Sequence, residues 1–336
     1  KKNQTRMKKI VTLGEVMLRL SPPGNDRFFQ TTSYDVEFGG SEANVGAALA
    51  FWGNEVYHLT AFPDQEIGWA AAARIRRNGM KSDFIKYYPG RMGIYFLEQG
   101  AMQRSSQVIY DRVDSVFANF DGTDLNWDKV FEDAEWLHWS GISPAISQKS
   151  AHLTLKALQE ANSRGISVSG DLNYRSNLWQ FGQKPHEVMP ELMQLTQVMI
   201  AGKRDFSACL NIDFENFEHA KKHLFRQFPN LKYISKTERT SHSSSHNSLV
   251  GDLISSDECF TSKTYELTHI VDRVGTGDAY AGGLIQGLLY LQPQEAIDFA
   301  VAAGAIKHSV PGDVLLCSMA EVRELVVGDS LGKIKR

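Results

Sequence analysis

Residues 269–291, HIVDRVGTGDAYAGGLIQGLLYL, join an apolar segment to a glycine turn and then to a long apolar run. The pattern predicts a strand ending at Val271, a turn at Gly275-Thr276-Gly277, and a helix from about Gly277 to Leu291. Glycines at a helix N-terminus let backbone N–H groups converge on an anion, and the helix dipole adds to the attraction. Asp278 falls in the first helical turn, beside that anion. A carboxylate there repels phosphate, so its presence calls for a reason. It is either a plain helix-start residue or a general base that takes the proton of a hydroxyl attacking a phosphate. The turn by itself leaves both readings open.

The same alternation of strand and helix runs through most of the chain. KKIVTLGE (8–15), EVYHLTAF (55–62), EWLHWSGI (135–142), ISVSGDL (166–172) and QVMIAG (197–202) read as strands. SEANVGAALAFWG (41–53), EIGWAAAARIRRNGM (66–80) and SQKSAHLTLKALQEANSRG (147–165) read as helices. Ser41 is a candidate N-cap, and Gly53 and Gly79 are candidate stops. This βα rhythm predicts an α/β fold in three layers, a mainly parallel sheet between helices. Two segments break it: VMLRLSPPGNDRFFQTTSYDVEF (16–38) and MGIYFLEQGAMQRSSQVIYDRV (92–113) carry strand patterns without crossover helices. Residues of about 16–38 and 91–114 are therefore expected to form a small β flap beside the main sheet, with surface decoration as the other reading. ERTSHSSSHNS (238–248) reads as a polar turn between strands; its two histidines as a metal site is the alternative.

Composition narrows the function. Of 336 residues, 42% are apolar and 22% charged, which supports one large core, and residues 7–336 are expected to form a single domain. A net charge of −3 offers nothing to attract nucleic acid. The apolar run from Ala281 to Leu291 is interrupted by Gly282, Gly283, Gln286 and Gly287, so no membrane span is expected. Cys209, Cys259 and Cys317 are widely spaced without a CxxC pair, which suits reduced thiols and a cytoplasmic protein. Met7 is read as the natural start, with residues 1–6 either disordered or added ahead of it.

DRVGTGDAYAGG (272–283) looks like the C-terminal signature of the ribokinase-like sugar kinases, the phosphofructokinase B family. EFGGSEANVGAALAFWG (37–53) resembles their N-terminal signature. The resemblance implies a ribokinase-like fold whose lid is the flap, an anion hole from Gly275, Thr276 and Gly277, and Asp278 as catalytic base. ATP and Mg²⁺ would be used, and a monovalent cation near Asp272 is left open. Dimers through the lid are implied as well.

Within the family, GIYFLEQGAMQRSSQVIYDR (93–112), HWSGISPA (138–145), DLNYRSNLW (171–179) and KHSVPGD (307–313) are similar to 2-keto-3-deoxygluconate kinases. That resemblance implies a sugar pocket of Gly39, Gly40, Asn44, Tyr95, Tyr110, Arg112, Arg175 and Asp313. Asn173, Thr237, Arg239, Gly275 and Gly277 would approach the nucleotide, and AVAAGAIKHSV (300–310) would form a helix beside the adenine. An acid sugar suits the two arginines, because a guanidinium matches a carboxylate. Each arginine could equally be a surface ion pair.

AGKRD (201–205) departs from the family pattern. Gly202 stands where an Asn that orders metal-bound water is expected, and Asp205 stands where the acid is expected. Mg²⁺ would then rest on Asp205, with Asp171 a further candidate, or Lys203 or Arg204 would neutralise phosphate in its place. TERTS (237–241) also differs and puts Glu238 near the nucleotide. Two other functions stay open: a kinase for another sugar such as fructose, and a non-catalytic sugar- or nucleotide-binding protein.

Overall fold

The computed structural model describes residues 7–243 and 246–328. The tail 1–6, residues 244–245 and residues 329–336 lie outside the described residues. The strands are β1 (Lys9–Leu13), β2 (Met17–Ser21), β3 (Asp35–Gly39), β4 (Glu55–Pro63), β5 (Ile85–Tyr88), β6 (Ile94–Glu98) and β7 (Gln107–Asp111). They continue as β8 (Ala134–Ser140), β9 (Ser167–Asp171), β10 (Val198–Ile200), β11 (Tyr233–Ser243), β12 (His246–Ile254), β13 (Cys259–Thr261) and β14 (Tyr265–Thr268).

Among the described residues, one sheet runs in the order β13-β12-β11-β10-β9-β8-β1-β4-β5, with β14 also on β12. From β5 to β11 every pairing is parallel, and β12, β13 and β14 add an antiparallel edge. Parallel strands covered on both faces need near-continuous apolar sequence, which IVTL in β1 and VMI in β10 supply. One face is covered by the helices Ser41–Phe51, Thr276–Tyr290 and Pro293–Lys307. Helices Gln148–Ser163, Pro185–Gln194, Lys203–Leu210 and Phe217–Gln227 cover the other. Ala300, Ala302 and Ala303 are fully buried in the first of these cores, so the small-residue run does pack helix against sheet and helix. No described helix is long and apolar enough to cross a membrane.

The flap is present as a separate four-stranded sheet, β3-β2-β6-β7. Two antiparallel hairpin pairs, β2–β3 and β6–β7, are joined by the parallel pair β2–β6. Met17, Tyr95 and Leu97 on its inner side pack against Val274, one residue before the glycine turn. It is a lid on the cleft rather than decoration.

Three local expectations need correction. The strand expected to end at Val271 ends at Thr268, because His269 adopts φ 59° and turns the chain out of the sheet. Ile270 and Val271 instead form cleft wall, and the Val271 and Asp272 N–H groups donate to the His308 carbonyl. Ser41 is the first helical residue and Gly40 the cap, and the Ser41 hydroxyl is engaged elsewhere. The polar stretch 238–248 is mostly strand, since β11 and β12 pair through it as far as Ser243 and His246. Among the described residues no cluster of three or more His, Cys, Asp or Glu could hold a metal.

Candidate active site

β1 lies between β4 and β8, so the strand order reverses there and the loops after β1 and β8 diverge. Such switch points, at the carboxyl ends of parallel strands, are where open α/β sheets bind ligands. A cleft of about 1480 Å³ opens here, floored by the ends of the sheet strands and roofed by the lid.

The glycine turn forms its centre. Gly275 caps the helix Thr276–Tyr290 at φ 73°, a left-handed conformation that glycine adopts at no steric cost. A Cβ on Gly275 would overlap the Asp313 carbonyl oxygen. The first N–H groups of a helix have no intrahelical acceptor, so this turn presents donors to the cleft. Gly277 is exposed and a Cβ there would meet nothing within 4 Å.

Asp278 is held by two groups from the facing helix. Ser41 Oγ donates to its Oδ1 and Asn44 Nδ2 to its Oδ2, both at 2.7 Å. Burial raises its pKa, and these two hydrogen bonds oppose the rise. The two bonds tie the start of this helix to the facing helix, which capping by itself does not require. The Gly39-Gly40 pair makes this approach of helix and lid possible. A side chain on Gly39 would overlap the Asp313 carboxylate, and one on Gly40 the Glu15 carbonyl.

Several acids share the floor. Burial, then the neighbouring Asp205 and Asp278, push Asp171 up to about 8. Burial pushes Glu42, which accepts from Ser140 and Ser143 at 2.7 Å each, up to about 7. Asp205 spends both oxygens on backbone, Oδ2 on Gly202 N–H at 2.9 Å and Oδ1 on Tyr174 N–H at 3.2 Å. A carboxylate oxygen keeps a further lone pair, so Asp205 with Asp171 suits a hydrated cation held through its waters. Gly202 has φ −98° and only Asp205 Oδ2 near its missing Cβ, at 3.7 Å, so it is not a strained glycine. Lys203 points away and donates to the Phe214 carbonyl at 2.7 Å, whereas Arg204 lines the cleft.

Asn173, at φ 36°, Thr237 and Arg239 line the cleft beside Arg273, which the sequence reading passed over. Arg175 is exposed in the same wall and has no ion-pair partner among the described residues. Arg112 lies under the lid, 5.8 Å from the centre of the Tyr110 ring. Its Nε donates to Glu15 Oε2 at 2.9 Å, Nη2 reaches the same oxygen, and Ser115 Oγ donates to Oε1 at 2.5 Å. Glu15 is 5% exposed, so Arg112 belongs to a buried ion pair whose acid went unnoticed. A carboxylate directly after the first strand, at the switch point, was the signal that could have revealed it. Asp313 is buried behind the lid with Arg19 on Oδ1 and Tyr95 Oη donating to Oδ2 at 2.6 Å.

The model of the pfkB family carbohydrate kinases matches residues 7–318. The 2-dehydro-3-deoxygalactonokinase of Haloferax volcanii is 30% identical over 324 residues, 96% of this chain and 98% of its own. A crystal structure of 2-dehydro-3-deoxygluconokinase from Thermotoga maritima is 41% identical, with a TM-score of 0.89 over 96% of this chain and 100% of that one. A PfkB family carbohydrate kinase from Listeria grayi is 33% identical, with a TM-score of 0.90 over 95% and 100%.

Proposed function

This chain belongs to the pfkB family of carbohydrate kinases, and from that premise we propose that it transfers the γ-phosphoryl group of ATP to the 6-hydroxyl of 2-dehydro-3-deoxygluconate (2-keto-3-deoxygluconate). The observation that carries the chemistry is the Asp278 carboxylate, gripped by Ser41 and Asn44 beside the glycine turn. Asp278 accepts the proton of the attacking hydroxyl, and the N–H groups of the turn meet the charge on the transferred group. Arg204, Arg239 and Arg273 offer positive charge to the phosphates, and the lid excludes water. Asp171 and Asp205 would hold Mg²⁺ through its waters. When bound, Mg²⁺ neutralises charge on the β- and γ-phosphates.

The substrate is supported by the 41% identity to a protein named 2-dehydro-3-deoxygluconokinase. The galacto epimer is the second reading, since a relative 30% identical carries that name. A coupled ADP-release assay on both epimers, fructose and aldonic acids tests the proposal. Turnover of fructose above both keto-deoxy acids would overturn it.

The acid group makes a further prediction. Arg175→Ala should weaken binding of the acid sugar by about 1.5–3 kcal/mol more than binding of a neutral analogue. Arg112→Ala should discriminate less, because Glu15 already offsets its charge. It should instead lower stability by about 3–5 kcal/mol, by stranding Glu15 in the interior. Binding calorimetry with both sugars and a thermal melt read these effects. Equal losses for acid and neutral sugar in Arg175→Ala would remove that residue from carboxylate recognition.

A further inference from the structure

Four charged side chains outside the proposed chemistry meet in one buried place. Arg19 is 4% exposed, Asp272 5%, Asp313 4% and Lys307 fully buried. Arg19 stands on lid strand β2 and reaches into the body of the protein. Its Nη1 bonds Asp313 Oδ1, its Nη2 lies 3.7 Å from Asp272 Oδ2, and its Nε donates to Ser21 Oγ at 2.8 Å. Tyr95, on lid strand β6, donates to the other Asp313 oxygen. Lys307 donates to the Val310 carbonyl at 2.7 Å, and burial lowers its pKa while the charges of Asp272 and Asp313 oppose the fall.

Both carboxylates are tied to the phosphate turn. Asp272 Oδ1 accepts from Val274 N–H at 2.9 Å and Oδ2 from Gly312 N–H at 3.0 Å, so it joins the loop entering the turn to the loop ending at Asp313. The Asp313 carbonyl lies against Gly275 itself. The lid also meets the body through apolar contacts, Met17, Tyr95 and Leu97 around Val274 and Leu18 and Phe38 against the main core. The guanidinium thus spans two carboxylates on the body side from the lid side. Buried ion pairs add little net stability, and their best-attested use is to fix one arrangement of elements against another.

We propose that Arg19 is a positioning residue that couples the lid to the phosphate-binding turn through Asp313 and Asp272, so that nucleotide at the turn draws the lid down. The coupling rests on nucleotide binding at the turn and not on which sugar is phosphorylated. Because it needs two carboxylates spanned at once, charge alone does not suffice. Lysine keeps the charge but has one compact ammonium in place of the planar fork.

Hydrogen exchange of the full chain, with and without a non-hydrolysable ATP analogue and Mg²⁺, tests this. In the wild type, saturating analogue should slow exchange in lid residues 17–21 and 94–98 by about fivefold or more. In Arg19→Lys, protection should be confined to residues 272–278. Tyr95→Phe, which deletes only the second lid bond to Asp313, should give intermediate lid protection and serves if Arg19→Lys does not fold. A merely structural arginine would lower the melting temperature without changing which amides the nucleotide protects. A wild-type lid insensitive to nucleotide, or a lid equally protected in these variants, overturns the coupling. Sugar turnover is scored separately, so failure of both keto-deoxy acids as substrates would sink the substrate reading alone.

Discussion

Asp278→Asn should lose a factor of about a hundred to ten thousand in kcat while binding sugar and nucleotide nearly as the wild type does. Asparagine is almost isosteric, and its carbonyl can still accept from Ser41 or Asn44, so the helix start should stand. What disappears is an atom able to take the hydroxyl proton. Single-turnover rates, measured beside calorimetric affinities, separate that loss from a binding defect. Near-normal turnover in the variant would dismiss Asp278 as base. A pH profile gives a second handle. The base must be ionised, and burial raises its pKa above the ordinary carboxylate value. The wild-type rate should therefore rise with pH through a midpoint above that of a free Asp, and the Asn variant should lack this limb. Asp171, pushed to about 8, and Glu42, to about 7, face the same cleft and would shape the upper end of the curve.

Gly275→Ala should be the second most damaging change. Its backbone sits at φ 73°, a region costing a residue with Cβ about 1–2 kcal/mol, and the new methyl would overlap the Asp313 carbonyl. The turn must shift, and with it the N–H groups proposed to meet the transferred phosphoryl. Loss of one such donor elsewhere costs about a hundred- to a thousandfold in kcat, which sets the expected scale. Gly277→Ala is the matched control. Its Cβ would enter open cleft, so the protein should melt like the wild type, and any activity lost there reports crowding of the phosphate. If Gly275→Ala kept full activity while Gly277→Ala lost it, the turn would bind its anion differently from the arrangement proposed.

Much of the architecture was legible before any coordinates. Apolar runs such as KIVTL and VMI, alternating with helical patterns closed by Gly53 and Gly79, are local signals, and local physics is enough to interpret them. The two strand-rich interruptions announced a second sheet because strands without crossover helices cannot join a parallel one. Misreadings arose where a local signal had a distant competitor. Ile270 and Val271 are apolar because they wall a cleft, and a left-handed His269 takes them out of the sheet. Ser41 has the chemistry of a cap, but its hydroxyl serves an aspartate 237 positions away in sequence.

The sequence by itself determined the α/β class, two strand-rich interruptions, and the glycine turn with the aspartate beside it. The class is a rhythm repeated along the chain and the turn a pattern within one stretch, whereas the reading of the interruptions as a lid needed the family resemblance. Only the tertiary structure decided how the charges pair: Arg112 with Glu15, 97 positions apart, and Arg19 with Asp313, 294 positions apart. A charged residue carries no mark in the sequence of the partner it will meet. That pairing is fixed by which strands and loops the fold brings together at the switch point, where burial forces each charge to find an opposite one.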